Sequence, residues 1–174
     1  LFDAIYSFDR QQCDDLGIGY LHQFFPMGFS YAKSGSAVIS QERVATKALF
    51  IGRDKGRSNA LVHLAELLVE CGCEVDFRIL VDACFVGKTR YHITHLVDYQ
   101  EYVSATMSAE VIVEINQDGQ AGVTLRALEA AYFGKKLITN NSSMRELSFY
   151  NSRNVYILDD PQAADVEAFR RFLA

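Results

Sequence analysis

Two stretches of this chain carry residue types that could hold a phosphorylated ligand. The first, Gly52-Arg53-Asp54-Lys55-Gly56-Arg57, places two glycines among three cations, just ahead of a helical pattern. Glycines let the backbone turn tightly and come close to a ligand. Arg53, Lys55 and Arg57 beside a helix start would complement a diphosphate. The stretch lacks the Gly-Lys-Ser/Thr ending of a P-loop and is not the G-x-G-x-x-G dinucleotide fingerprint, so a solvated strand-to-helix turn is the competing reading. The second, Gly119-Gln120-Ala121-Gly122-Val123-Thr124, opens a helix that contains Arg126 and Glu129. Gly122 and Thr124 can offer backbone N–H groups and a hydroxyl to a phosphate, and Arg126 lies one turn in. Glu129 could accept two hydrogen bonds from the vicinal hydroxyls of a ribose. A surface pair of Arg126 and Glu129 is the alternative, but Glu129 sits in the otherwise apolar stretch from Leu125 to Phe133, where a carboxylate without purpose is costly.

Other polar groupings are weaker. Thr139-Asn140-Asn141-Ser142-Ser143 ends a strand and could point amides into a crevice, although a polar turn is the better reading of it alone. His92 and His95 are three apart with no carboxylate at ligand spacing. The four cysteines are Cys13, Cys71, Cys73 and Cys84. One C-x-C without a second pair does not complete a zinc site, so free thiols in a reducing compartment are expected.

The elements that must position these residues alternate in type. Leu1 to Ser7 reads as a strand, and Asp9 as the N-cap of a helix over Arg10 to Leu16. A second apolar run, Leu21 to Phe25, stops at Pro26. Gly28 to Arg43 is glycine- and serine-rich and reads as a linker. From there the pattern is regular: strand 47–51, helix 57–71 with Leu61, Leu64, Ala65 and Leu68 on one face, strand 74–81 and a possible strand 91–94. Asp98, with Glu101 in capping-box position, starts a helix to about Met107. A strand 110–115, helix 123–133, strand 136–139, strand 154–158 and helix 164–173 complete the chain, with Gly72 and Gly134 as helix stops. Such alternation predicts an α/β fold with a doubly wound, mostly parallel sheet and helices on both faces. Ligands of these sheets bind beyond the carboxyl ends of the strands, where both glycine-bearing turns fall. Residues 1–44 are expected to form an interdomain segment and linker, and 45–174 the ligand-binding domain.

The bulk properties narrow the function classes. The chain has 174 residues, is 49% hydrophobic and 22% charged, and carries a net charge of -5. These values suit a globular domain with a real core and give no basic field for nucleic acid. No apolar run is long enough to span a bilayer. The chain opens on Leu1 with a strand-like run, so a fragment or a mature piece is expected.

The run GVTLRALEAAYFGKKLITNN resembles the donor-binding segment of GT-B glycosyltransferases, in which a Gly-hydrophobic-Thr/Ser helix start leads into Glu-Ala-x-x-x-Gly. More narrowly, FDAIYSFDRQQCDDLGI, ALFIGRDKGR, VDFRILVD and FYNSRNVYIL are similar to segments of bacterial transferases that build lipopolysaccharide core and other surface polysaccharides. The resemblance covers nearly the whole chain. It implies the C-terminal, Rossmann-like half of a two-domain enzyme that binds a nucleotide-diphosphate sugar. By resemblance, Glu129 would hold the nucleotide ribose, Gly122, Val123 and Thr124 the diphosphate-facing turn, and Arg53 and Lys55 would fall in a loop that contacts donor phosphates; Gly52, Arg57, Gln120 and Arg126 complete the set of candidate donor-binding residues. It implies no cofactor and no metal, a saccharide acceptor, a missing N-terminal domain carrying that acceptor, and a cytoplasmic location with peripheral attachment of the full-length protein to the membrane as an option. Many retaining members carry a further glutamate eight positions before the ribose-binding one. Here that position is Ala121, which leaves the stereochemistry of transfer open. A nucleotide-sugar epimerase of the same fold and a non-catalytic α/β ligand-binding module are the alternatives. The first would need further acids and a histidine in the cleft. A receiver-type module would need an acidic cluster that Asp54 and Asp82 alone do not make.

Overall fold

The structure is a computed structural model, and it describes residues 2–24, 45–81, 88–117, 119–160 and 165–174. The expected linker over 28–43 lies outside the described residues, as do Leu1, Phe25, Pro26, Asp82, Cys84 and the start of the last predicted helix.

The chain begins with a small unit: strand β1 (Tyr6–Ser7), helix α1 (Arg10–Leu16) and strand β2 (Gly19–Tyr20), the two strands pairing in parallel. The predicted first strand is thus shorter than the apolar pattern, because its partner offers only two residues. Asp9 caps α1 as expected, accepting from the Gln12 N–H at 3.2 Å.

From residue 47 onward the fold is α/β. Strands β3 (Lys47–Arg53), β4 (Glu74–Leu80), β5 (His92–Ile93), β6 (Val111–Glu114), β7 (Lys136–Thr139) and β8 (Val155–Ile157) form one sheet in the order β5-β4-β3-β6-β7-β8. Every pairing is parallel. The helices are α2 (Ser58–Glu70), α3 (Tyr99–Ser108), α4 (Leu125–Tyr132) and α5 (Val166–Leu173), with a short 3-10 helix at Ser142–Glu146. This is a Rossmann-like doubly wound sheet.

Alternation along the central strands sends side chains to two separate cores. On one face, Ala48, Phe50, Ile79, Val111, Val113 and Ile138 meet Leu61, Leu64, Ala65 and Leu68 of α2 and Phe169 and Phe172 of α5. On the other, Leu49, Ile51, Ile112, Leu137 and Val155 meet Ala105 of α3 and Ala127 and Ala130 of α4. Burial on both faces is why β3 and β6 read as continuous apolar runs. Helices α3 and α5 are capped by side chains: Asp98 accepts from the Glu101 N–H at 2.9 Å and Asp165 from the Glu167 N–H at 3.0 Å. Helix α2 is capped by Asp54, whose Oδ1 lies 2.6 Å from the Ser58 N–H, not by its own N-cap residue Arg57. The Glu101 carboxylate, expected to close a capping box, pairs with Arg78, which also grips Asp76 at 2.8 Å.

Candidate functional site

The strand order reverses direction between β3 and β6. In such sheets the crevice beyond the carboxyl ends at this switch point is where ligands bind. β3 and β6 pair at Ala48–Val111 and Leu49–Ile112, and both strands then run on. The turn after β3 is Gly52–Arg57, and the loop after β6 leads through Asn116 to Gln120 and Gly122. The two predicted stretches therefore follow the two strands that meet at this switch point.

Two arginines join its sides. Arg57, half-buried, donates from Nε to the Asp54 carbonyl at 3.0 Å, from Nη2 to the Arg53 carbonyl at 2.6 Å, and from Nη1 to the Ile115 carbonyl. Its charge stays at the crevice, but its N–H groups are engaged with backbone. Arg126, from the first turn of α4, reaches across to β3. Its Nη2 donates to the Ile51 carbonyl at 2.6 Å, and its guanidinium lies 5.1 Å from the centre of the Phe50 ring. Gly52 makes that reach possible, since a Cβ there would meet Arg126 Nη2 at 3.1 Å. The buried Nε of Arg126 has no hydrogen-bond partner. Arg53 and Lys55 are exposed at the rim. Lys55 (φ 48°) and Gly56 (φ 78°) take successive left-handed conformations, a geometry uncommon for lysine.

Glu129, three residues beyond Arg126, is 1% exposed. Its Oε2 accepts from the Tyr102 hydroxyl, while Oε1 is buried without a partner. Burial pushes its carboxyl above the ordinary value, outweighing the Tyr102 hydrogen bond and the Arg126 charge that act to lower it. The Tyr102 phenol is also raised by burial, with the Glu129 carboxylate adding to the rise and Arg126 opposing it.

Thr124 is the N-cap residue of α4, but its hydroxyl does not face outward. It donates to Oε1 of Glu114, whose Oε2 accepts from the Thr139 hydroxyl at 2.6 Å. Glu114 is fully buried at the end of β6. The hydroxyl expected to meet a phosphate is thus committed to an internal acid.

The Ala121–Gly122 turn is held from both sides. Asn141 Nδ2 donates to the carbonyls of Ala121 and Gly122 at 3.2 Å each, and the Ser143 hydroxyl to the Ala121 carbonyl at 2.8 Å. Asn140 exchanges hydrogen bonds with the backbone of Asn116, accepting at 2.7 Å and donating at 3.2 Å. The Asn-Asn-Ser segment therefore braces the loops. The N–H groups of Ala121 and Gly122 both point at Asp9 Oδ2, each at 2.8 Å. Gln120 turns the loop through its backbone, which donates to Gln117 and accepts from Asn116 Nδ2. A cavity of about 360 Å³ opens beside this turn. Asp9, Arg10, Tyr20, His22, Gly122 and Val123 are among the residues that line it, and Arg53, Arg57, Arg126 and Glu129 are not.

No model of a known protein family matches this chain, and no curated protein does. What the site can do is therefore argued from its own residues. Among the described residues, no group of three or more His, Cys, Asp or Glu side chains is placed to hold a metal ion, and no helix is long and apolar enough to cross a membrane.

Three participants were not singled out from the sequence. Glu114 had a signal, as the one acid within Val111–Ile115. Tyr102 had none, since its partner lies 27 residues away. Asp9 was legible as a helix cap, but its second role joins it to residues more than a hundred positions on.

Proposed function

We propose that this chain is the donor-binding half of a two-domain sugar transferase, taking a nucleotide-diphosphate sugar for transfer to a saccharide acceptor of lipopolysaccharide or another surface polysaccharide. The observation that carries the reading is Glu129. A buried carboxyl that keeps one oxygen without a donor is costly, and here it stands on the helix that starts at the switch point of a Rossmann-like sheet. A ligand hydroxyl would supply the missing donor. Because Tyr102 already occupies Oε2, Glu129 would accept one ribose hydroxyl at Oε1 rather than two. Oε1 is buried, so binding requires neighbouring side chains, Tyr102 and Arg126 among them, to shift.

The diphosphate would lie over the crevice rim, where Arg53, Lys55 and the charge of Arg57 favour anions. In transfer, the bond from the sugar's anomeric carbon to the diphosphate breaks, a bond to the acceptor hydroxyl forms, and the nucleoside diphosphate leaves with its charge stabilised by these cations. The acceptor proton goes to a base outside the residues named here.

The reading is tested by thermal unfolding with UDP, ADP, GDP and CDP at millimolar concentration. One or more should raise the unfolding temperature of the wild-type chain, and Glu129→Ala should abolish the rise. Absence of a shift with every nucleotide would overturn it.

A further inference from the structure

The N–H groups of Ala121 and Gly122 converge on one carboxylate oxygen, Asp9 Oδ2, at 2.8 Å each. Two adjacent backbone N–H groups aimed at a single point make an anion-binding concavity, and here the anion is part of the chain. Among the described residues, these are the only hydrogen bonds that tie residues 2–24 to residues 45–174. The unit they tie down is otherwise lightly held. Its strands are two residues each, and Phe2, Ile5, Tyr6 and Leu16 are exposed.

The turn does not depend on Asp9 for its shape. Its carbonyls are fixed from the opposite side by Asn141 and Ser143, so its N–H groups would stay aligned if Asp9 left. A route for a competing anion also exists. The 360 Å³ cavity borders Asp9, Ala121 and Gly122, and Arg10 and His22 line it as well. The Arg10 guanidinium, stacked 4.1 Å from the centre of the Tyr20 ring, would attract an anion there.

We propose that Asp9 is an internal competitor for the anion site at this turn: its carboxylate and a ligand phosphate exclude one another from the Ala121 and Gly122 N–H groups, so that phosphate binding releases residues 2–24 from the α/β domain. This inference rests on the proposed donor reading, takes the Ala121–Gly122 turn as a further phosphate contact, as the sequence leads one to expect, and adds a conformational consequence to it. A ligand shifts such an equilibrium only through its different affinity for the two states. Phosphate meets free N–H groups in the released state and an opposing carboxylate in the docked one.

The probe is inorganic pyrophosphate, measured by calorimetry and by hydrogen exchange on the whole chain. In the wild type, saturating pyrophosphate should speed exchange in residues 10–16. Asp9→Ala removes the competitor and should bind pyrophosphate about tenfold more tightly than wild type, since the competent state is then always populated. Gly122→Ala is an independent second variant. A Cβ there would meet the Phe8 ring at 2.8 Å and Asp9 Cα at 3.0 Å, so it should speed exchange in residues 10–16 without any ligand. Circular dichroism confirms that each variant keeps the α/β domain. The proposal is overturned if Asp9→Ala binds pyrophosphate no more tightly than wild type, absence of binding to either included. It is equally overturned if exchange in residues 10–16 fails to rise as pyrophosphate saturates the wild type. Pyrophosphate competition without any nucleotide shift would leave the latch standing and remove the donor-site reading. A Glu129-dependent nucleotide shift without competition would do the reverse.

Discussion

Replacing Glu129 by glutamine should make the protein more stable at neutral pH while weakening the nucleotide binding proposed for it. The carboxyl is 1% exposed, one oxygen accepts from Tyr102, and the other has no partner. Arg126 gives its Nη2 hydrogen bond to Ile51 instead. Glutamine keeps the shape and the Tyr102 bond through its amide oxygen. It exchanges an unpaired carboxylate oxygen for an unpaired amide, and a buried charged group without its hydrogen bond costs more than the roughly 1–3 kcal/mol of a neutral one. A gain on the order of 1–2 kcal/mol follows, which for a chain of this size is about 2–4 °C in unfolding temperature per kcal/mol. The pH dependence has a definite sign. The folded carboxyl titrates above its ordinary value of 4.5, so between the unfolded and folded values the folded state holds the extra proton. The carboxyl's contribution to stability is then lost as pH rises through that window. Below 4.5 it is protonated in both states and the advantage of glutamine should vanish. Urea unfolding of wild type and Glu129→Gln from pH 4 to 8 measures this directly. If Glu129→Gln is the less stable protein at pH 8 by 1 kcal/mol or more (about a fivefold change in the unfolding equilibrium), the carboxylate is a net stabiliser and the argument from an unpaired site fails. A stability gain at the expense of binding is the usual mark of a group kept for function.

Two further outcomes test other parts of the structure. Thr139→Val should destabilise by about 1–3 kcal/mol, because it removes one of the two hydroxyl donors to the fully buried Glu114; chemical denaturation measures it, and a change below about 0.5 kcal/mol would mean that Glu114 finds another donor. Cys73 should resist alkylation by iodoacetamide at pH 8 in the folded protein and react on unfolding. Burial pushes its thiol up to about 11, with Cys71 adding to the rise, so little thiolate is present. Mass spectrometry of the labelled peptides reads this out, and fast native labelling at Cys73 would contradict its placement in the core.

The architecture was legible because the rules that set it are local. Leu61, Leu64, Ala65 and Leu68 mark one helical face whatever they pack against. Asp9, Asp98 and the apolar runs of β3, β6 and β7 mark element starts and buried strands in the same way. The position of both glycine-bearing turns at strand ends followed from the alternation alone. The individual duties of the site residues were less legible. Arg57 and Arg126 read as phosphate ligands and are engaged with the carbonyls of Arg53, Asp54, Ile115 and Ile51. Thr124 read as an outward hydroxyl and turns inward to Glu114. Backbone carbonyls and buried acids need donors, and the nearest long side chains supply them. Periodicity does not say which carbonyl will lie within reach.

The sequence by itself therefore determined the alternating elements, the parallel doubly wound sheet and the neighbourhood of the crevice, since these depend on contacts within a turn or along a strand. The tertiary structure decided the strand order, the pairing of Tyr102 with Glu129, the burial of Glu114 between Thr124 and Thr139, and the seating of Asp9 on the Ala121–Gly122 turn. Those contacts join residues from 10 to 113 positions apart. They exist only because the folded sheet brings distant donors and acceptors into one desolvated place, where each must find a partner or bear the cost of lacking one.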